Sequence, residues 1–473
     1  MSTSKAIEIQ RESYTLHETP AVLFPFEVYL NAFSVLHFLS WTLWLLHMIT
    51  HFALAYQIQQ DGSHVPWKIW IAALCDLLLA IPEVLTAGNI GLALCTGKAA
   101  HPRPSYRLHG RVAPSVDIMI TSCGEPADMI INTVAAAAAQ DYPPEQFRIF
   151  VLDDSHDADL RHAVDLLKLR LNRVAGPQVI YLSRTVMPGQ QSYFKSGNLR
   201  FGIEQSQRLG EGSMLLAGLD ADMIPEPNWL RQMVPHLLLR EEVAIACGPQ
   251  RYYNVPSSDP LGQQADFDIY FTVQELLNDC LGAPMCTGTG YVARRSAIAE
   301  IGGWPLAYTG EDYMCSAILT GAGWDVVFVR SFLQTGLAPE SMTAAMKQRM
   351  RWTDAGLEVH QRLGPYLSAS TLTSRMKPSV RAVNMIYIIR DYSPLTTVLG
   401  MVLLPLALIP TPGADDDLLS IANKHRPFIF WAQTLFLATH MTRTLRVYLT
   451  YKHLNLSHVA NIHSQEMWSA PCE

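Results

Sequence analysis

The chain has 473 residues, 49% hydrophobic and 16% charged, a length beyond one ordinary domain and a composition that excludes both disorder and a small disulfide-stapled scaffold. Lys and Arg number 35 against 42 Asp and Glu, a formal charge of −7 with no long basic run, so no nucleic-acid partner is expected. The eight cysteines are scattered without a CxxC or paired spacing and read as reduced core residues of a cytosol-facing protein, not as zinc ligands.

Residues 1–25 read as a cytosolic N-terminal segment. From Val28 to Gln60 there is no Asp, Glu, Lys or Arg, which is longer than the roughly 20 apolar residues needed to cross a bilayer. Further candidate spans cover 69–94, 392–414 and 427–449, giving two pairs of transmembrane helices within 26–96 and 392–450 and a tail at 451–473. Lys98, Arg103, Arg107 and Arg111 follow the second span, and Arg443, Arg446 and Lys452 follow or end the fourth, whereas 57–67 has no Lys or Arg. The turn at 411–426 is mixed, with Lys424 and Arg426 near Asp415, Asp416 and Asp417. By the positive-inside rule this multi-pass arrangement places both termini and the middle of the chain in the cytosol.

Three polar features fall inside the spans. Asp76 and Glu83 lie in the second, where ionisable groups are costly, though Glu83 follows Pro82 and reads as reaching the interface. His47 and His51 stand at i, i+4 in the first; a metal-oxidase centre needs several such pairs, so this single pair reads as helix packing.

Between residues 112 and 364 the texture changes. Apolar runs at 116–120, 149–152, 179–182, 214–219 and 243–247 alternate with helical stretches such as 127–140 and 156–174. That alternation predicts an open, largely parallel sheet, whose ligands bind beyond the carboxyl ends of the strands. The run ending at Leu152 meets Asp153, Asp154 and Ser155, and the run ending at Leu219 meets Asp220, Ala221 and Asp222. Two acid pairs at one sheet edge repel unless a cation or polar ligand neutralises them. Asp220 and Asp222 have the spacing to approach one hard cation, Mg2+ or Mn2+, with phosphates completing its shell. Either acid pair alone also fits a turn or a cap.

Downstream, Glu311 and Asp312 open an apolar helix, where the plain reading is a helix cap. Gln348, Arg351 and Trp352 share one face of a later helix, bringing an amide, a guanidinium and an indole together. That set suits a diphosphate and a sugar ring; an amphipathic helix at the membrane surface is the alternative.

Taken in order, Asp153, Asp220-Ala221-Asp222, Glu311-Asp312 and Gln348 to Trp352 resemble the membrane-bound family 2 glycosyltransferases of the cellulose synthase, hyaluronan synthase and ceramide glucosyltransferase type. The segments 116–126 (VDIMITSCGEP), 195–199 (KSGNL), 286–295 (CTGTGYVARR) and 336–352 (GLAPESMTAAMKQRMRW) resemble further motifs of that family. The resemblance implies a GT-A fold, an α/β nucleotide-binding domain of mostly parallel sheet over 112–364, accompanied by transmembrane helices and an interfacial helix at 365–391. It implies that Asp153, Asp154, Glu125, Lys195, Asp220, Gln348 and Arg351 bind the nucleotide sugar. Asp220 and Asp222 would hold Mg2+ or Mn2+, Asp312 would be the catalytic base, and Trp352, Glu311, Thr289 and Gly288 would meet the acceptor. The departures are Cys123 and Gly124 in the first-strand turn and Gly310 where a Thr is usual.

The implied activity is a metal-dependent, inverting hexosyl transfer from a UDP- or GDP-linked sugar. With two spans after the Gln348–Trp352 helix and no gating-loop pattern, the acceptor is expected to be an amphiphilic lipid or hydrophobic metabolite. A processive polysaccharide synthase, acting on a growing glycan, is the alternative, and membrane lipid and an oligomer are compatible partners.

Overall fold

The computed structural model describes residues 7–12, 26–62, 64–96, 103–256, 263, 267, 270–363, 373–409, 420–421 and 423–450. Lys98, Asp415 to Asp417, Lys452, the 451–473 tail, the first part of the expected 365–391 helix and most of 1–25 lie outside them. The chain divides into two units, one built from residues 1–20, 101–259 and 263–385, the other from 21–100, 260–262 and 386–473.

The strands of the first unit are β1 (Glu8–Glu12), β2 (Ser105–His109), β3 (Val116–Ser122), β4 (Phe147–Asp153), β5 (Gln178–Ser183), β6 (Leu215–Asp220), β7 (Ile224–Pro225), β8 (Val243–Cys247), β9 (Arg251–Tyr252), β10 (Tyr291–Arg294), β11 (Asp325–Phe328) and β12 (Gln334–Gly336). Seven of them form one sheet in the order β11-β8-β10-β6-β3-β4-β5. β5, β4, β3 and β6 run parallel, β10 runs antiparallel to both β6 and β8, and β11 is parallel to β8. The expected largely parallel sheet is therefore present, with β10 as an antiparallel insertion.

Its strands are near-continuous apolar runs because helices cover both faces. All seven residues of β3 are buried. Ile118, Ile120, Ile149, Val151 and Leu219 share a core with Ile130 and Val134 of helix Ala127–Ala138 and Leu160 and Val164 of helix Ala158–Arg173. The latter helix starts two residues later than expected because the Asp157 carboxylate accepts from the backbone NH groups of Asp159 (2.8 Å) and Leu160 (3.3 Å), a helix cap.

Two smaller sheets went unforeseen. β7, β12 and β9 form a three-stranded sheet just past the end of β6, and β1 pairs antiparallel with β2. The strands β7, β9 and β12 have two or three residues and carry no readable periodicity, and β1 and β2 have five each but no apolar run.

In the second unit, helices form at all four expected positions: Phe26–Gln60, Trp67–Thr96, Ser393–Leu408 and Arg426–Thr450. Among the described residues one segment, Ser34–Gln60, is long and apolar enough to cross a membrane. Large apolar side chains stand outward on all four of these helices, including Phe52 and Tyr56, Leu74 and Leu77, Leu395 and Val402, and Phe430, Trp431 and Leu437.

Candidate active site

The site is laid out by the carboxyl ends of β3, β4 and β6. Strand register sets Ser122 beside Asp153 and Thr121 beside Asp220, so the two acid pairs recognised in sequence share one edge. Asp153 is fully buried. It accepts from the Ser155 hydroxyl (2.5 Å) and NH (2.9 Å), the Asp157 NH (2.8 Å) and the Tyr181 hydroxyl (2.6 Å). Burial raises its pKa, and these donors together lower it further than burial raises it, leaving the carboxyl below its ordinary value. Asp154 is held at both oxygens by Arg184 (2.7 Å each), whose guanidinium also donates to the carbonyls of Ser192 and Phe194. The Asp154 carboxylate thus fixes the loop that leads into Lys195. Glu125, half-buried after β3, accepts from the Cys123 NH (2.7 Å) and so shapes the first-strand turn.

Lys195 stands in the first turn of helix Phe194–Arg208 and links the remaining parts. Its ammonium lies 2.6 Å from Asp220, 3.4 Å from Glu311 and 2.9 Å from the Gly288 carbonyl, to which it donates. Burial opposes its charge, but Asp220, Glu311 and Asp312 outweigh burial and hold its pKa above the ordinary lysine value.

Asp312 opens helix Glu311–Gly321 and accepts from the Tyr313 NH (2.8 Å). Desolvation, reinforced by the neighbouring Glu311, raises its carboxyl to about 7 against the opposing pull of Lys195. A carboxyl poised near neutral pH is suited to taking up a proton from a hydroxyl. Gly288, at φ +83°, lies against both groups: a Cβ there would come within 2.8 Å of Asp312 Oδ2 and 3.4 Å of Lys195 Nζ. A side chain at that position would fill the space between base and ammonium.

Asp220 ends β6 and Asp222 lies two residues beyond it. Burial and then the charge of Asp220 raise Asp222 to about 6. Asp220, which shares the Lys195 ammonium, and Asp222 are oxygen donors of the kind that a hard divalent cation takes, and together they would hold it. Thr289 is buried; its hydroxyl accepts from the Asp220 NH (3.0 Å) and donates to Gln334 (3.2 Å), so it positions Asp220.

Gln348, Arg351 and Trp352 lie on helix Met342–Leu363, with Gln348 half-buried and Arg351 and Trp352 exposed. Trp352 meets the Phe267 ring edge-on at 5.7 Å, and Phe267 lies 4.5 Å from Tyr252 between ring centroids. The Tyr252 hydroxyl donates to Gln250, which donates to the Thr287 carbonyl, joining this aromatic set to the 286–290 loop. The same helix is pinned to the base by Glu358, whose carboxylate accepts from the Tyr308 and Thr309 NH groups (2.9–3.1 Å). Gly310 explains one departure from the family pattern, since a Cβ there would lie 2.8 Å from the Ala355 Cβ.

Sequence reading missed Arg184, Tyr181, Gln334 and Glu358. Arg184 directly follows β5, and a charge at a strand's carboxyl end is a signal that was available; Gln334 and Glu358 reach the site only through tertiary packing.

An α/β sheet with acid pairs at its carboxyl edge, a buried aspartate raised toward neutral pH and a basic-aromatic helix fits the frame of a nucleotide-sugar transferase. The profile described as Glycosyltransferase like family 2 matches residues 113–355, more than half of the chain, and the chain belongs to that family. It is 27% identical over 280 residues to the UDP-forming cellulose synthase 1 catalytic subunit of Komagataeibacter xylinus, covering 54% of this chain and 34% of that protein. It is 26% identical over 357 residues to the probable glucomannan 4-beta-mannosyltransferase 7 of Oryza sativa subsp. japonica, covering 72% of this chain and 59% of that one. The chain thus spans about a third of the length of the bacterial cellulose synthase it matches. The mannosyltransferase PcManGT of Pyrobaculum calidifontis, solved with GDP-Man and Mn2+, shares the fold: TM-score 0.52, 16% identity, 78% of this chain and 99% of that chain.

Proposed function

We propose that this glycosyltransferase is a polysaccharide synthase that moves hexoses from a UDP- or GDP-linked sugar to the terminal hydroxyl of a growing glycan, with inversion and with the help of Mg2+ or Mn2+. The observation that carries the transfer chemistry is Asp312, raised to about 7 and set against the Gly288 backbone and the Lys195–Asp220 pair. Asp312 takes the proton of the attacking hydroxyl. Asp153 and Glu125 bind the nucleoside side of the donor, Lys195 and Asp220 orient its diphosphate, and Gln348 and Arg351 hold the diphosphate as it departs. Trp352 carries the acceptor sugar on its face, with Thr289 and Glu311 shaping the loop and helix beside it. A divalent cation at Asp222 and Asp220 would neutralise the charge that develops on the leaving group.

Similarity to cellulose synthases and a glucomannan mannosyltransferase supports a polymer product and reverses the order expected from sequence, where an amphiphilic acceptor came first. That expectation rested on counting helices after residue 352, a weak guide in a chain that spans only part of its relatives. The apolar Ser34–Gln60 helix and the outward apolar side chains of its unit support a membrane-embedded enzyme, and the Lys and Arg that follow the second apolar segment support a catalytic unit on the cytosolic side.

The deciding experiment is to incubate purified protein with labelled UDP-glucose and GDP-mannose and to size the product before and after β-glucanase and β-mannanase. A high-mass, enzyme-sensitive glycan is expected. A label that extracts into organic solvent as a small glycoconjugate would return the amphiphilic acceptor to first place. EDTA is expected to abolish transfer and Mn2+ or Mg2+ to restore it, with Asp222→Ala behaving like chelation; full activity in EDTA would remove the cation from the scheme.

A further inference from the structure

The helical unit holds a second cluster of metal-ligating side chains that the transfer reaction does not use. His47 and His51 lie on one face of helix Phe26–Gln60, and the next helix brings Asp76 to them. Asp76 Oδ2 is 2.9 Å from His47 Nε2 and 3.1 Å from His51 Nε2, and the two Nε2 atoms are 3.3 Å apart. Three potential ligand atoms therefore converge in a nearly equilateral triangle. Around a tetrahedral zinc ion with bonds of about 2.0–2.1 Å, neighbouring ligand atoms lie about 3.3 Å apart, so this triangle is a slightly contracted face of such a site.

The ring orientation of His47 points the same way. Its Nδ1 lies 2.9 Å from the carbonyl oxygen of Ala432 on helix Arg426–Thr450, and a carbonyl only accepts, so the proton sits on Nδ1. In the neutral imidazole this leaves the Nε2 lone pair aimed at the triangle, the arrangement that a backbone carbonyl imposes on a metal-bound histidine. A lone pair facing a carboxylate oxygen at 2.9 Å requires positive charge between them. The three side chains are 7%, 16% and 22% exposed, and residues 28–60 contain no Lys or Arg to supply that charge.

We propose that His47, His51 and Asp76 form a binding site for one divalent transition-metal ion of the Zn2+ type, with a fourth position open to water. Two imidazoles and one carboxylate suit Zn2+ or Co2+ better than Mg2+, in contrast to the all-oxygen pair Asp220 and Asp222. The ion joins the first two helices of the unit, and the His47–Ala432 hydrogen bond extends the tie to the last. This assignment is independent of the sugar and acceptor. It replaces the helix-packing reading of the histidine pair, which had no third ligand because Asp76 is 25 residues beyond His51 in the chain.

Co2+ is the probe. Tag-free full-length protein carrying Asp222→Asn, which removes the carboxylate site, is stripped with chelator and titrated with Co2+ while the visible absorption of tetrahedral Co2+ is followed. One equivalent is expected to bind, to be displaced by Zn2+, and to lose at least about tenfold in affinity in His51→Gln and in Asp76→Asn. Should those variants fold poorly, X-ray absorption at the zinc edge of the Asp222→Asn protein decides: a shell with two imidazole nitrogens supports the site. No Co2+ uptake, undiminished uptake in folded His51→Gln, or a zinc shell of oxygen alone would overturn it and leave a shared proton between His47 and Asp76.

Discussion

The amino end of strand β3 and the β6 side of its carboxyl end treat acidic side chains in opposite ways, while Asp153 and Asp154 on the β4 side are matched by their own donors. At the amino end Asp117 is fully buried, and every neighbour compensates it: Arg148 donates at 2.8 and 2.9 Å, Arg295 donates to one oxygen, and the Ser213 hydroxyl donates at 2.7 Å. At the carboxyl end the single ammonium of Lys195 is shared by Asp220 and Glu311 and lies within the field of Asp312, and Asp222 and Asp312 are raised to about 6 and about 7. A buried carboxylate that is fully matched ties the sheet together, since removing one partner of such a pair leaves an uncompensated charge. Acidic groups crowded against one another are held away from their relaxed state, and only a ligand that brings positive charge or a proton relieves them.

The largest expected effect comes from replacing the carboxyl-end base. Asp312→Asn keeps the shape and removes the proton acceptor, so transfer should fall by about 10²–10⁴-fold, the range for general-base catalysis. Donor binding, followed by titration calorimetry, should stay within about twofold on the same grounds, because the base acts on the hydroxyl and not on the nucleotide. Near-normal turnover would remove Asp312 from that role.

Next comes the amino end. Asp117→Ala should destabilise the fold by about 3–5 kcal/mol, the cost of breaking a buried ion pair from one side. The fraction that remains folded should bind donor with unchanged affinity. A large loss of donor affinity with stability intact would erase the distinction between the two ends.

That distinction was only half legible in the sequence. Asp153, Asp220 and Asp222 stood out because two acid pairs after apolar runs would meet at one sheet edge, and Asp312 through its place in the order of motifs; taken singly, each also fits a turn or a cap. Asp117 sits inside an apolar run, and its partners Arg148 and Arg295 are 31 and 178 residues away, so only the register of β3 with β4 and the start of helix Arg295–Glu300 after β10 bring them together. The sheet itself was readable from five continuous apolar runs. The insertion of β10 was not, because a strand of four residues does not reveal the direction in which it runs. Lys195 and Gly288 were singled out through their motifs, while their contact with each other depends on helix Phe194–Arg208 and the 286–290 loop meeting at the sheet edge.

A pH series sharpens the same comparison. Asp312 has a folded value of about 7 against about 3.9 for an unperturbed aspartate, so it binds its proton more tightly in the folded state. Its contribution to stability is complete below pH of about 4 and is lost as pH rises through about 7. Activity needs the ionised form and should climb through the same window, by up to about tenfold per pH unit below 7. Asp153 has the opposite sign: its value is lowered, so its contribution is present at neutral pH and is lost as acid protonates it. Thermal melts of wild type and Asp312→Asn between pH 4 and 8 should therefore diverge as pH rises, with the variant relatively more stable at the alkaline end. Parallel melting curves would mean that the Asp312 carboxyl is not held out of its ordinary range.

The smallest effect is expected where the site leaves charge behind. Trp352 is 46% exposed and makes an edge-to-face contact with Phe267, which leaves much of the indole surface accessible to a sugar ring. An aromatic pair of this kind is worth about 0.5–1.5 kcal/mol beyond its area, so Trp352→Ala should leave the fold and the donor affinity nearly unchanged. The loss should instead appear as a rise in KM for the acceptor of roughly 2- to 13-fold, the same energy range expressed as a ratio. In a polymerising enzyme, weaker hold on the terminal sugar also lets the chain leave sooner. The mean product length should shorten while donor hydrolysis, which needs no acceptor, continues at the wild-type rate. Chromatography of the labelled glycan against donor consumption reads both quantities in one assay. If Trp352→Ala instead lowered donor hydrolysis and transfer equally, with product length unchanged, the indole would belong to the nucleotide side of the site, together with Arg351.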